Sequence, residues 1–244
     1  MKSRIFTVKS NDKLVEGVYK MTLEGDCAGT SVPGQFVNIA LEGLYLRRPI
    51  SVCDVERDLL TIIYKVVGKG TKQLSECGAG TQLDLLTGLG NGYDISCCGD
   101  RPLLIGGGVG VPPLYLLAKR LIAVGKTPEA ILGFNTKSEI FLEREFSEIG
   151  CKVHITTIDG SAGIMGFVTD GVEQIAGFDY SFSCGPEPML RAIYEKSTAD
   201  GQFSFEERMG CGFGACMGCT CETKYGYKRI CREGPVLKKG EVVW

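Results

Sequence analysis

Apolar residues follow two different rhythms along this chain. From residue 1 to about 97 they come in short runs: Ile5 to Val8, Val18 to Leu23, Phe36 to Ala40, Ile50 to Val52, Leu59 to Val66 and Leu83 to Leu86. Turn signals such as Pro33-Gly34 and Gly68-Lys69-Gly70 separate them, and short strands so spaced predict a small antiparallel barrel. After Cys97-Cys98-Gly99-Asp100 the runs begin to alternate with helical segments, the grammar of a parallel sheet covered by helices. Arg101 to Ile105, Ala130 to Asn135, Lys152 to Thr157 and Tyr180 to Ser183 are the expected strands. Helices are expected from the 106–113 turn to Val124 and near Ile140 to Ile149, Val168 to Ala176 and Pro188 to Ser197.

The remaining C-terminal segment is too small to fold on core burial alone and needs a staple. Its cysteines supply a candidate. Cys211-x4-Cys216-x2-Cys219-x11-Cys231 matches the plant-type [2Fe-2S] ligand spacing. Gly210, Gly212, Gly214 and Gly218 permit the backbone to wrap closely around an inorganic core. The alternative is a four-cysteine zinc site, but such sites usually pair two C-x2-4-C knuckles, and here the fourth cysteine stands alone. Cys221 is a further thiol two residues beyond Cys219 and an alternative ligand to it.

Composition narrows the class. The 244 residues leave room for two domains and an appendage. A net charge of -2 gives no electrostatic footprint for nucleic acid or an anionic membrane. Twelve cysteines without a secretory leader point to a reducing compartment, the cytoplasm. The longest uncharged stretch, Pro102 to Ala118, holds four glycines and three prolines and divides into a strand and a helix start rather than a membrane span. His154 is the one histidine; it lies on an alternating apolar run, as a strand residue rather than a catalyst, and no catalytic residue is assigned.

Four segments carry candidate binding chemistry. Arg47-Arg48-Pro49-Ile50-Ser51 offers guanidinium groups and a hydroxyl to a diphosphate. Ile63-Tyr64-Lys65, followed by Gly68-Lys69-Gly70-Thr71, offers an aromatic face, backbone donors and a hydroxyl, or is merely a hairpin. Gly106-Gly107-Gly108-Val109-Gly110 lies where a strand meets a helix and lets the backbone approach a pyrophosphate, although Val111 stands where a strict G-x-G-x-x-G has its third glycine. Cys184-Gly185-Pro186-Glu187-Pro188-Met189 follows the last strand, as a ligand loop or a proline-ended turn.

In this order the four segments resemble the ferredoxin-NADP reductase superfamily. With Glu206 to Gly210, the cysteine loop and Arg229-Ile230-Cys231-Arg232-Glu233-Gly234-Pro235, the whole chain resembles the dihydroorotate dehydrogenase B electron-transfer subunit family. The resemblance implies a multi-domain α+β fold: an antiparallel Greek-key β-barrel holding FAD (1–97), an α/β parallel-sheet NAD domain (98–201) and a small [2Fe-2S] domain (202–244). It implies FAD on Arg48, Pro49, Ile50, Ser51, Ile63, Tyr64, Lys65, Gly70 and Thr71. NAD falls to Gly107, Gly108, Gly110, Cys184, Gly185 and Pro186, and the cluster to Cys211, Cys216, Cys219 and Cys231. The wider superfamily usually has tyrosine where Ile50 stands. The implied partner is an FMN-containing dihydroorotate dehydrogenase subunit of pyrimidine biosynthesis, in a heterotetramer of two of each chain. Two alternatives remain: the flavin subunit of an NAD(P)H-linked ferredoxin oxidoreductase or sulfide dehydrogenase, and a zinc-holding nucleotide adaptor. NAD is expected over NADP because the segment after Gly133 lacks an arginine cluster, with Lys137 the lone cation there; Asp159 is expected either at the ribose or in a turn.

Overall fold

The computed structural model describes residues 1–244. Its first six strands are β1 (Lys2–Val15), β2 (Val18–Glu24), β3 (Phe36–Ile39), β4 (Arg48–Glu56), β5 (Leu59–Lys65) and β6 (Gln82–Leu89). They close into an antiparallel barrel in the order β1-β2-β5-β4-β3-β6. Each expected strand is present. Alternation decides what faces inward: Leu83 and Leu85 of β6 join Phe6, Met21, Val37, Ile39 and Ile62 in the barrel core. The Gly68-Lys69-Gly70-Thr71 segment is not a hairpin but opens helix α1 (Lys69–Ser75). There the Thr71 hydroxyl accepts from the N–H groups of Val67 and Gly68 at 2.9 and 3.2 Å, satisfying donors that the helix start leaves free.

The second layer system contains β7 (Pro102–Gly107), α2 (Pro112–Ala123), β8 (Glu129–Phe134), α3 (Glu143–Glu148), β9 (Lys152–Thr157), β10 (Ile164–Met165), α4 (Val168–Val172), β11 (Tyr180–Cys184) and α5 (Glu187–Lys196). Then come β12 (Gly201–Ser204), the hairpin β13 (Thr220–Thr223) and β14 (Gly226–Arg229), and β15 (Val236–Lys238). The sheet runs β10-β9-β8-β7-β11-β12-β15 and is parallel except for β15. The helices α3 and α4 are shorter than the sequence periodicity predicts; Leu142, in the left-handed region at φ 65°, delays the start of α3. β10, β12 and β15 were not foreseen, because runs of two to four residues carry no readable period. Through β12 and β15 the sheet draws on residues after 201. His154 lies on β9, its Nε2 2.9 Å from Glu129 Oε2.

Helix α2 is apolar on two faces and is buried between the layers. Leu114, Leu117 and Leu121 join Leu104, Leu132 and Phe182 of the sheet core. Leu116 enters the barrel core with Val52 and Ile62. Lys119 adds an ion pair from the same helix to Asp54 Oδ2 on β4 at 2.8 Å. On the other flank, Phe36 and Leu89 of the barrel pack with Cys219, Ile230, Cys231 and Leu237. No helix is long and apolar enough to cross a membrane, and the 102–118 stretch divides between β7 and α2.

Truncating Leu116 to alanine leaves a cavity at the barrel–helix joint. It is expected to lower stability by about 2–5 kcal/mol, read as a lower denaturant midpoint with an unchanged slope.

Candidate functional site

A cleft of about 1420 Å³ opens between barrel and sheet. Its barrel wall consists of Arg48, Pro49, Ile50 and Ser51 on β4 and Ile63, Tyr64 and Lys65 on the neighbouring β5, with Thr71 of α1. Antiparallel pairing of these strands sets the two sequence segments side by side. Its sheet wall is made by Gly107, Gly108 and Gly110 after β7 and Cys184, Gly185 and Pro186 after β11. The adjacency of β7 and β11 brings these loops together at the carboxyl ends of parallel strands, where open α/β sheets take ligands. Of the fifteen residues expected around the two nucleotides, Gly70 alone does not line the cleft. It stands behind Arg48, and a Cβ at Gly70 would overlap that guanidinium.

The two arginines of the first segment have different surroundings. Arg47 is tied to Asp84, with Nη2 2.6 Å from Oδ2. That guanidinium holds the Asp84 carboxyl below its usual range. Arg48 donates only to the Leu46 carbonyl and has no carboxylate partner, so its charge is available to an anion in the cleft. Tyr64 is nearly buried, stacked on Tyr19 and hydrogen-bonded through its hydroxyl to Asn11 Oδ1 at 2.9 Å. Burial pushes its pKa, and that of the Cys184 thiol, upward; the thiol reaches about 12 and is therefore neutral. Gly110 is a packing glycine: a Cβ there would strike the Cys184 carbonyl and lie 2.7 Å from the Gly185 Cα. These contacts form a cradle with backbone on both sides, which suits an extended dinucleotide.

Asp159 does not line the cleft. Its carboxylate closes a turn on Ser161, accepting from the backbone N–H at 3.0 Å and the hydroxyl at 2.6 Å. Lys137 is also absent from the wall. Sequence reasoning missed Glu139, which lines it and accepts from Asn135 Nδ2 at 2.7 Å. A glutamate shortly after the end of the second parallel strand was the available signal.

The four cysteines expected to hold the cluster follow Met209, which lines the cleft, and two of them, Cys219 and Cys231, pack with Phe36 of β3, which lines it too. Cys211 Sγ accepts from the N–H groups of Ala215 at 3.2 Å, Cys216 at 3.4 Å and Phe213 at 3.5 Å. Cys216 Sγ accepts from Cys211 N at 3.4 Å and Gly218 N at 3.5 Å, and Cys219 Sγ from Cys231 N at 3.4 Å. The result is two pairs: Cys211 with Cys216 towards the surface, and Cys219 with Cys231 buried. Burial raises the Cys211 pKa, but the N–H donors of Phe213, Cys216 and Ala215 outweigh it and bring the thiol down to about 6. Gly212 and Gly214 take positive φ, 77° and 92°, whereas Gly210 and Gly218 do not; Met217, at φ 62°, makes the remaining left-handed bend. Arg229 braces the loop, with Nη1 on the Gly214 carbonyl at 2.6 Å and Nε on Glu233 Oε2 at 2.9 Å. This guanidinium holds the Glu233 carboxyl down to about 2. Cys221 lies on β13, partly buried, outside both pairs. Phe213 and Met217 are 37% and 55% exposed rather than packed in the core.

Residues 206–243 match the iron-sulfur cluster binding domain of dihydroorotate dehydrogenase B. Over its full length the chain is 44% identical to the dihydroorotate dehydrogenase B (NAD(+)) electron transfer subunit of Geobacillus sp. (strain WCH70), covering 99% of that protein. It belongs to this electron-transfer subunit family. The subunit of Fusobacterium nucleatum subsp. nucleatum is 43% identical, with 99% of each chain covered. Among solved structures, a chain of an NADH-dependent reduced ferredoxin-NADP oxidoreductase superposes with a TM-score of 0.89 at 31% identity, covering 98% of this chain and 90% of that one. A ferredoxin NADP+ reductase from Neisseria gonorrhoeae with bound FAD and NADP shares the fold, with a TM-score of 0.67 at 14% identity over 80% of this chain and 90% of that one. Membership carries with it an FAD-binding reductase fold and an iron-sulfur binding region.

Gly110→Ala should force the two sheet-side loops apart. Where overpacking of about 1–3 kcal/mol falls on the binding-competent arrangement of the loops, it corresponds to a ~5- to 150-fold rise in the Kd for NADH, measured by titration, with flavin content unchanged.

Proposed function

We propose that this chain carries electrons for an NAD-linked dihydroorotate dehydrogenase, between a partner subunit that oxidises dihydroorotate to orotate on FMN and NAD+. A [2Fe-2S] cluster and FAD are the resident groups. The observation that supports this most directly is the arrangement of four cysteines as two pairs, on a loop whose preceding residues Arg208 and Met209 line a dinucleotide-sized cleft. A binuclear cluster needs two thiolates on each iron, and the pairs Cys211/Cys216 and Cys219/Cys231 meet that need.

FAD, when bound, supplies the exchange between the two electrons of a hydride and the single electrons of an iron-sulfur centre. The chain's residues bind and orient. Arg48 offers its unpartnered charge to the diphosphate, beside the first N–H groups of α1. Pro49, Ile50, Ser51, Ile63, Tyr64 and Lys65 shape the flavin wall, where Ile50 gives aliphatic rather than aromatic packing. The 107–110 and 184–186 loops receive the nicotinamide dinucleotide from the sheet side. Cys184 stays a neutral thiol there and brings no charge to the nicotinamide. Glu139, an acid five residues beyond the end of β8, and the absence of lysine or arginine from that part of the wall favour NAD over NADP.

A second reading, as the flavin subunit of a ferredoxin oxidoreductase, draws support from the 31% identical structural neighbour. The match over residues 206–243 and the higher identities favour dihydroorotate. A zinc adaptor is disfavoured because residues 206–243 match an iron-sulfur cluster binding domain and the fourth cysteine stands apart from a second C-x2-4-C knuckle. The complex is taken to hold two of each chain, in the cytoplasm.

An anaerobic NADH titration of the complex tests the relay. Flavin bleaching together with a reduced [2Fe-2S] paramagnetic signal is expected; a chain with zinc and no flavin would refute it. In the Cys231→Ser variant, dihydroorotate-dependent NAD+ reduction should collapse while NADH oxidation by an artificial acceptor persists. A normal dihydroorotate-dependent rate in that variant would refute the relay.

A further inference from the structure

Arg48 divides the barrel wall of the cleft into two parts. Along β4 and β5 on one side of it stand Pro49, Ile50, Ser51, Ile63 and Tyr64, the wall given above to the flavin. On the other side stand Tyr45 and Leu46, which precede it in the chain, and Val67; all three line the same cleft. Pairing and contacts bring these three to one lip. Val52 lies opposite Ile62, so β5 runs towards Arg48 and its continuation reaches Val67 just past it. Arg48 donates from Nη1 to the Leu46 carbonyl, and a Cβ on Gly70 of α1 would overlap its guanidinium. Gln73 of α1 donates to the Glu42 carbonyl at 3.2 Å, tying the loop between β3 and β4 to that helix.

The lip is apolar and uncovered. Tyr45 is 100%, Val67 79% and Leu46 45% exposed. Single apolar side chains on a surface are ordinary, but three beside a guanidinium without a carboxylate partner mark a binding surface. The loop is shaped to present the tyrosine. Gly43, at φ 69°, makes its turn, and Leu44 packs against the barrel core, so the next residue stands clear of that core with its ring faces free. A dinucleotide carries one planar group on each side of its diphosphate. With the flavin ring along Ile50 and Tyr64 and the diphosphate at Arg48, the adenosine half leaves towards Tyr45. The three residues of chain from Arg48 to Tyr45 reach at most about 11 Å, a span suited to a ribose and its base.

We propose that Tyr45 is the adenine platform for FAD, its ring stacked on the base with Leu46 and Val67 as an apolar rim, and that this contact selects FAD over FMN. It rests on the assignment of FAD to the cleft made above. FMN ends at its phosphate and does not reach the lip, so FAD alone gains from it. A tyrosine ring suits the task, because it offers a large rigid face at low entropic cost and stacking needs no further hydrogen bond. The nicotinamide dinucleotide is received from the opposite, sheet-side wall and leaves this lip free.

The test titrates FAD and FMN separately into the full chain freed of flavin, without the partner, so that a single flavin site is read by calorimetry. Tyr45→Ala is expected to raise the Kd for FAD ~5- to 150-fold, the range for losing one base–aromatic stack, and to leave that for FMN within about twofold. Tyr45→Phe keeps the ring and should bind FAD as wild type does. Because Tyr45 is exposed, its truncation leaves the core untouched. An unchanged Kd for FAD in Tyr45→Ala would overturn the proposal. So would an equal loss for both flavins, which would make Tyr45 a support for the loop and not a contact to adenine. Failure of wild type to bind FAD would instead refute the cofactor assignment itself.

Discussion

Leu116 and Leu117 are neighbours in one helix and belong to different cores. Helix α2 is therefore clamped on two sides, by the barrel and by the parallel sheet, and the relative placement of those two bodies follows from its burial. Everything functional depends on that clamp. The cleft is the space left where barrel and sheet meet, and its walls are the ends of strands whose positions α2 fixes. Lys119 adds an ion pair at the same joint, but its charges are partly solvated and it registers the joint more than it stabilises it.

The cysteine loop is ordered by different physics. It has little apolar core of its own beyond the flank shared with Phe36 and Leu89. Its shape comes from backbone N–H groups turned towards sulfur, two glycines at positive φ and a buttress from Arg229 to the Gly214 carbonyl. Donors directed at thiolate sulfur favour the charged ligand form and also tune a bound centre. The loop is pressed against β3, whose Phe36 packs with Cys219 and Cys231 and also lines the cleft.

Much of the fold was legible in the chain. All six barrel strands and the four longer strands of the sheet showed a period or an apolar run long enough to read. The short strands β10, β12 and β15 did not, because pairing with a neighbour, not local pattern, makes them strands. Gly68-Lys69-Gly70-Thr71 was ambiguous between hairpin and helix start for a related reason: the deciding bond is the Thr71 hydroxyl reaching back to Val67 and Gly68.

Sequence by itself determined the candidate groups: four cysteines at a cluster spacing, two barrel segments, two glycine-bearing loops and their order. These are local in the chain, and spacing is enough to specify them. Only the tertiary structure decided which members of each set are available. Asp84, distant in sequence, takes up Arg47 and leaves Arg48 facing the cleft. Ser161 takes up Asp159, while Glu139 reaches the wall. Asn38 gives no sign in the sequence of its contact with Cys211, 173 residues away. Such roles arise where non-local strand pairing and desolvation bring partners together, and no linear pattern encodes a partner that distant.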